Sequence, residues 1–180
     1  MKSLFYSLFL FINIHSWTQE KNIAKNGIVT FEASVATFEE VKATTSTAVC
    51  VLNSKTGDLA SAISIKTFKF KNSLMQEHFN ENYMESDKFP KAIFKGKIEN
   101  YNSYNFDNQT KIQINGTFEI HGKSKNMTVP ATLKKEGNNY ILVANFVLKP
   151  EEFNIEIPSI VGYKIAKSIE VSTTFKLLAL

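Results

Sequence analysis

The feature that most constrains this chain is a strict two-residue alternation of apolar and polar side chains. In KIQINGTFEIHG, Ile112, Ile114, Gly116, Phe118 and Ile120 share one face, while Lys111, Gln113, Asn115, Thr117 and Glu119 share the other. A period of two matches the pleat of a strand, whose successive side chains point to opposite sides. One dry face and one wet face mark a half-buried antiparallel strand. The pattern recurs in Met127, Val129, Ala131 and Leu133, followed by a turn over Lys135 to Asn139 centred on Gly137 and a return strand from Tyr140 to Leu148. The final strand, Ile165 to Leu177, puts Ile165, Ile169, Val171, Thr173, Phe175 and Leu177 on one side. Nearer the N-terminus, Gly27 to Ala33, Thr37 to Thr44, Ala48 to Asn53 and Asp58 to Phe70 also read as strands, the last two joined through SKTGD. Within the fourth, the apolar phase moves from Leu59, Ile63 and Ile65 to Phe68 and Phe70, which predicts a β-bulge near Lys66.

One segment departs from the alternation. In NSLMQEHFNENYMESDKFP, residues 72–90, the residues Leu74, Met75, His78, Phe79 and Asn82 recur at helical spacing. Ser73 with Gln76 three positions on fits a capping box, and Phe89-Pro90 stops the helix. No repeat, proline-rich linker or low-complexity tract divides the rest. The expectation is one all-β domain of about eight or more antiparallel strands, a sandwich or a closed barrel. Strands of about ten residues with one clean apolar face suit an elongated, tilted barrel that has no free edges. Its inner face, including Phe31, Phe94, Ile98, Ile114, Phe118, Phe146, Phe175 and Leu177, could fill the barrel or line a dry channel. Periodicity alone favours the filled core.

Composition narrows the function. All 21 basic residues are lysine, against 17 acidic ones, for a net charge of +4. Bidentate recognition of phosphate or guanine belongs to arginine, so a sequence-reading nucleic-acid binder is excluded. Residues 1–18 carry Lys2, an apolar run from Leu4 to Ile14 and then a polar stretch, the plan of a signal peptide cleaved before Gln19. Residues 19–180 then form the mature domain, exported, periplasmic or secreted, with no transmembrane segment. The lone Cys50, in the apolar run AVCVL, has no disulfide partner and reads as a small buried thiol.

Chemistry is sparse. Outside the leader only His78 and His121 remain, without HExxH or paired-histidine spacing, so no metal and no cofactor is expected. Glu39-Glu40 and Glu151-Glu152 would point to opposite faces if extended. An enzyme built from Glu77, His78, Glu81 and His121 is the lesser alternative, and the chain reads as a non-enzyme.

Three segments together resemble the YceI family of secreted or periplasmic lipid-binding proteins. LMQEHFNENYMESDKFPKAIFKGKI resembles the family's helical excursion and its D-F/Y-P-x-x-x-F exit, here Phe89-Pro90 with Phe94. INGTFEIHGKSKNMTVPATL is similar to the family's G-x-L-x-I-H-G-x-(S/T)-x-x-V run through Gly116, Phe118, Ile120, His121, Gly122 and Val129. FVLKPEEFNIEIPSIVGYKIAKSIEV resembles its closing region, with Glu152-Phe153-Asn154-Ile155 in the place of D-F-x-I.

The resemblance implies an elongated eight-stranded antiparallel barrel, lipocalin-like, with one short helical excursion, enclosing a polyisoprenoid or other long-chain lipid without catalysis. It turns the balance from a filled core to a dry channel. The implied lining is Phe31, Ile63, Phe70, Phe94, Ile98, Ile114, Phe118, Phe146, Val171 and Phe175, with Met75 and Phe79 of the helix covering one end. A homodimer is possible, and a filled-barrel structural or stress-response protein of the envelope is the alternative.

Overall fold

The computed structural model describes residues 20–180. The signal peptide expected at residues 1–18 lies outside the described residues. Among the described residues, nine strands form one antiparallel sheet: β1 (Lys21–Ser34), β2 (Lys42–Asn53), β3 (Asp58–Ser64), β4 (Lys69–Phe70), β5 (Lys91–Ile98), β6 (Thr110–Ile120), β7 (Lys123–Glu136), β8 (Asn139–Leu148) and β9 (Ile165–Ala179). Their order is β1-β9-β8-β7-β6-β5-β3-β2, and pairing of β1 with β2 closes the ring, so the structure is an eight-stranded closed antiparallel barrel. Closure gives each of the eight strands a partner on both sides. Two-residue β4 pairs only with the start of β2.

The alternation places the side chains as expected. Along β6, Ile112, Ile114 and Phe118 are buried while Lys111, Gln113, Asn115, Thr117 and Glu119 are exposed. Hairpins set the register. His121-Gly122 joins β6 to β7 with φ of 53° and 71°, and the left-handed backbone at both turn residues matches the twist of the flanking strands.

Three expectations are corrected near the N-terminus. Thr37–Thr44 and Ala48–Asn53 are not two strands; β2 is continuous, and Val35–Val41 is its entry loop. The strand changes its inward parity at Ser46-Thr47, between buried Thr45 and buried Ala48, which broke the pattern in the sequence. Asp58–Phe70 is not one bulged strand. A 3-10 turn over Ile65–Thr67 separates β3 from β4, and the Thr67 hydroxyl lies 2.8 Å from that of Thr45 on β2. The helix α1 (Ser73–His78) starts after Asn72, not Ser73: the Asn72 Oδ1 accepts from the amides of Leu74 (2.9 Å) and Met75 (3.3 Å). Gln76 Oε1 instead accepts the Phe70 amide at 3.3 Å, tying α1 back to β4. A π turn over Phe79–Tyr83 follows α1.

The barrel has two unlike ends. At the lower end, the connection between β5 and β6 folds inward as an aromatic plug. Tyr101 and Phe106 lie 5.2 Å apart, Phe106 meets Tyr140 at 6.4 Å, and the Tyr101 hydroxyl donates to the Ser54 carbonyl at 2.9 Å. Gly57, at φ 74°, must lack a side chain, because a Cβ there would sit 2.5 Å from the Tyr101 ring. Leu52, Ile98, Leu133 and Leu177 pack in the same end, all nearly inaccessible. The upper end carries α1, the entry loop of β2 and the long β8–β9 connection.

Candidate functional site

Above the plug the barrel is hollow. A cavity of about 340 Å³ runs between the strands and reaches the upper end. Its walls are almost wholly hydrocarbon and aromatic; Ser61, His78, Tyr83, Lys164 and Thr173 are its few members with polar groups. That volume lies in the range of small-molecule sites, but without the convergent polar groups that orient a polar ligand.

The sequence pattern supplies the walls. From β1 comes Phe31, from β3 Ile63, from β5 Phe94, from β6 Ile114 and Phe118, from β8 Phe146, and from β9 Val171 and Phe175. Phe70, Met75 and Phe79 add the helical side. Of the expected lining residues, Ile98 alone lies elsewhere. It is 1% exposed and packs inward beside its register partner Ile114, at the floor of the cavity where the filled end begins.

Two structural groups hold the upper walls. The first is an aromatic cluster in which Phe31 meets Phe68 at 5.2 Å and stacks on Phe79 at 5.2 Å, while Phe70 and Phe79 lie 5.1 Å apart. Each such pair contributes about 0.5–1.5 kcal/mol beyond area burial, enough to pin a helix too short to be stable alone. The second is the turn Pro150–Phe153, whose Phe153 is 1% exposed and meets Phe118 edge-on at 5.6 Å. Asn154 follows with φ 56°, turning the chain back across the mouth through Ile155 and Ile157. Phe68, Phe153, Ile155 and Ile157 were missed as lining residues; the phase change at Lys66 hid the first, and the others lie in a non-repeating loop.

His121 stands outside the cavity wall. Its Nε2 is 3.0 Å from Glu85 Oε2 and its Nδ1 is 3.3 Å from the Phe153 carbonyl, while its ring packs 4.5 Å from that of Phe89. It fastens the helical excursion to the β8–β9 connection. His78 lines the cavity mouth. Among the described residues, no group of three His, Cys, Asp or Glu side chains could hold a metal ion. Cys50 is fully buried, and burial pushes its thiol up to about 12, away from a nucleophilic thiolate. No helix among the described residues is long and apolar enough to cross a membrane.

An eight-stranded barrel plugged at one end and hollow at the other has room to enclose one small apolar guest. The profile of the YceI-like domain matches residues 18–177, and the chain belongs to that family. Solved structures agree in fold. A polyisoprenoid binding domain from Saccharophagus degradans, implicated in plant cell wall breakdown, superimposes with a TM-score of 0.76 at 10% identity, over 90% of this chain and 99% of its own. Burkholderia cenocepacia BcnA gives 0.70 at 14% identity, over 83% of this chain and 95% of its own. The YCEI protein of Campylobacter jejuni gives 0.53 at 17% identity, over 98% and 92% respectively. No curated protein matches the chain.

Proposed function

We propose that the protein is exported, with residues 1–18 as its removable address and residues 19–180 as one barrel domain, and that it sequesters or carries a polyisoprenoid or similar long apolar chain. The observation that carries this reading is the apolar cavity of about 340 Å³, closed below by Tyr101 and Phe106 and open at the upper end. A flexible hydrocarbon chain gains about 0.8 kcal/mol per buried methylene in such a space, before the loss of chain freedom is subtracted. The polyisoprenoid binding domain among the structural neighbours supports the ligand class.

Binding by shape and burial needs no reacting group, and this role includes no catalytic step. The plug also explains why a chain would enter from one end only. A barrel filled throughout describes the lower half alone. Native mass spectrometry after mild purification, followed by organic extraction, tests the reading. The expected result is a co-purified lipid or uptake of an added prenyl alcohol. Recovery of protein that carries none and takes up none overturns it.

A further inference from the structure

The upper rim exposes apolar side chains that the fold could have buried. Ile160 is 79% exposed, Tyr163 59%, Leu74 55% and Phe38 40%. They belong to three chain segments that touch. Phe38, in the entry loop of β2, meets the Tyr163 ring edge-on at 5.3 Å. Ile160 precedes Tyr163 by three residues on the helical turn Ser159–Gly162, so both share one face. Leu74 follows Asn72, whose amide donates to Glu39 Oε1 in that same entry loop at 3.2 Å. Phe38, Tyr163 and Ile160 thus form one apolar patch, and the polar Asn72–Glu39 link holds the segment of Leu74 beside it on the same rim.

The rim is continuous with the cavity. Met75, Val161 and Lys164 line the mouth, and each is the chain neighbour of a rim residue, Leu74, Ile160 and Tyr163 respectively. The charges suit a phospholipid surface. In the entry loop Glu40 is paired with Lys71 and Glu39 accepts from Asn72, whereas the Lys164 ammonium lies 5.5 Å from the Tyr163 ring and in no ion pair among the described residues. A tyrosine with a lysine beside it is suited to the headgroup layer, where the ring is half immersed and the ammonium meets phosphate.

We infer that this rim docks on a bilayer surface, with Ile160, Tyr163, Leu74 and Phe38 entering the headgroup region so that the cavity mouth opens onto the acyl layer. The inference rests on the lipid-carrying role proposed above: a guest too apolar for water passes between membrane and barrel without crossing solvent.

Flotation with vesicles of phosphatidylcholine and phosphatidylglycerol tests it, using the purified wild-type protein, the double variant Ile160→Ser/Tyr163→Ser and the control Leu178→Ser. Leu178 is 57% exposed on β9 near the plugged end. The wild type and the control are expected to float with the vesicles, and the double variant to lose roughly tenfold or more in partitioning. Uptake of a prenyl alcohol from detergent solution should be unchanged in the double variant, because its cavity is intact. Failure of uptake in every protein would instead overturn the lipid-carrying role. Equal flotation of the double variant, or equal loss in the control, overturns the docking surface. So does a dimer in sedimentation analysis that the double substitution abolishes while vesicles bind none of the proteins, which would assign the rim to a second copy.

Discussion

His121 joins Glu85 to Phe153: one imidazole nitrogen faces the carboxylate at 3.0 Å and the other faces the backbone carbonyl at 3.3 Å. The two partners lie on different segments of the upper end, the exit of the helical excursion and the turn that begins the β8–β9 connection. Its neighbours show how closely the site is built. A Cβ on Gly122 would stand 2.6 Å from the Phe89 ring, so the tight turn, the ring and the imidazole fit only together. His121→Ala should cost about 1–3 kcal/mol, since the part-buried Phe153 carbonyl loses its partner while the exposed Glu85 carboxylate can turn to water. Denaturant unfolding would measure the total. Amide exchange locates it: protection should fall at Glu85–Phe89 and Pro150–Ile155 and hold at Ile98 and Tyr101. Uniform loss across the barrel would contradict a local clasp.

The boundary between the hollow and filled halves makes opposite predictions for two buried residues. Ala144 faces the cavity from β8, whereas Ile98 is packed below it. Ala144→Phe should project a ring into space meant for a guest, lowering uptake of a prenyl alcohol tenfold or more, with a stability change inside about 1–3 kcal/mol. Ile98→Ala should cost about 2–5 kcal/mol in denaturant unfolding and leave uptake nearly unchanged under conditions where it is folded. Reversal of the two uptake results would place the guest elsewhere.

What could be read from the sequence follows from what periodicity encodes. The alternation at Ile112, Ile114 and Phe118 states which way a side chain points, and the barrel honours it. It does not say where along the barrel axis the open space ends: Ile98 and Ile114 are register partners that both point inward, yet Ile114 lines the cavity and Ile98 lies just below its floor. Parity also fails where the strand itself slips. Thr45 and Ala48 both face inward, so β2 read as two strands, and Phe68 lost its phase across the turn at Ile65–Thr67. The plug was hidden because NYNSYNFDNQ reads as a polar loop. Tyr101, Tyr104 and Phe106 at its aromatic positions were the available signal.

The β5–β6 wall is built around a missing side chain. Gly96 and Gly116 are register partners, and a Cβ on Gly116 would meet the Lys95 carbonyl at 2.4 Å, the Gly96 Cα at 2.7 Å and the Phe94 ring at 2.7 Å. The ring thus lies over bare backbone on the cavity wall. Gly116→Ala should destabilise by about 1–3 kcal/mol through forced displacement of the strands. Adding Phe94→Leu removes the ring clash and leaves the backbone clash, so thermal melting should show partial rescue. Full rescue would mean that the ring alone was responsible.

Cys50 predicts the behaviour in alkali. Its thiol has an ordinary value of 9.0 and burial raises it to about 12 in the folded barrel. Above pH 9 the unfolded chain therefore releases a proton that the folded chain retains, so ionisation favours unfolding. The stability this group contributes is full below pH 9 and is lost as pH rises towards 12, at up to roughly 1.4 kcal/mol per pH unit. Tyr101 acts in the same direction from about its ordinary value of 10.0 upward, because burial, then its hydrogen bond with Tyr140, raises the phenol. Denaturant unfolding at a series of pH values should give Cys50→Ala a shallower fall than the wild type between pH 9 and 12, whatever its absolute stability. Tyr101, and Lys42 held up by its hydrogen bond and ion pair with Glu32, would contribute to the slope that remains. Parallel curves would mean that the buried thiol opens to solvent before it ionises, and rapid alkylation of the native protein at pH 8 would independently show that opening.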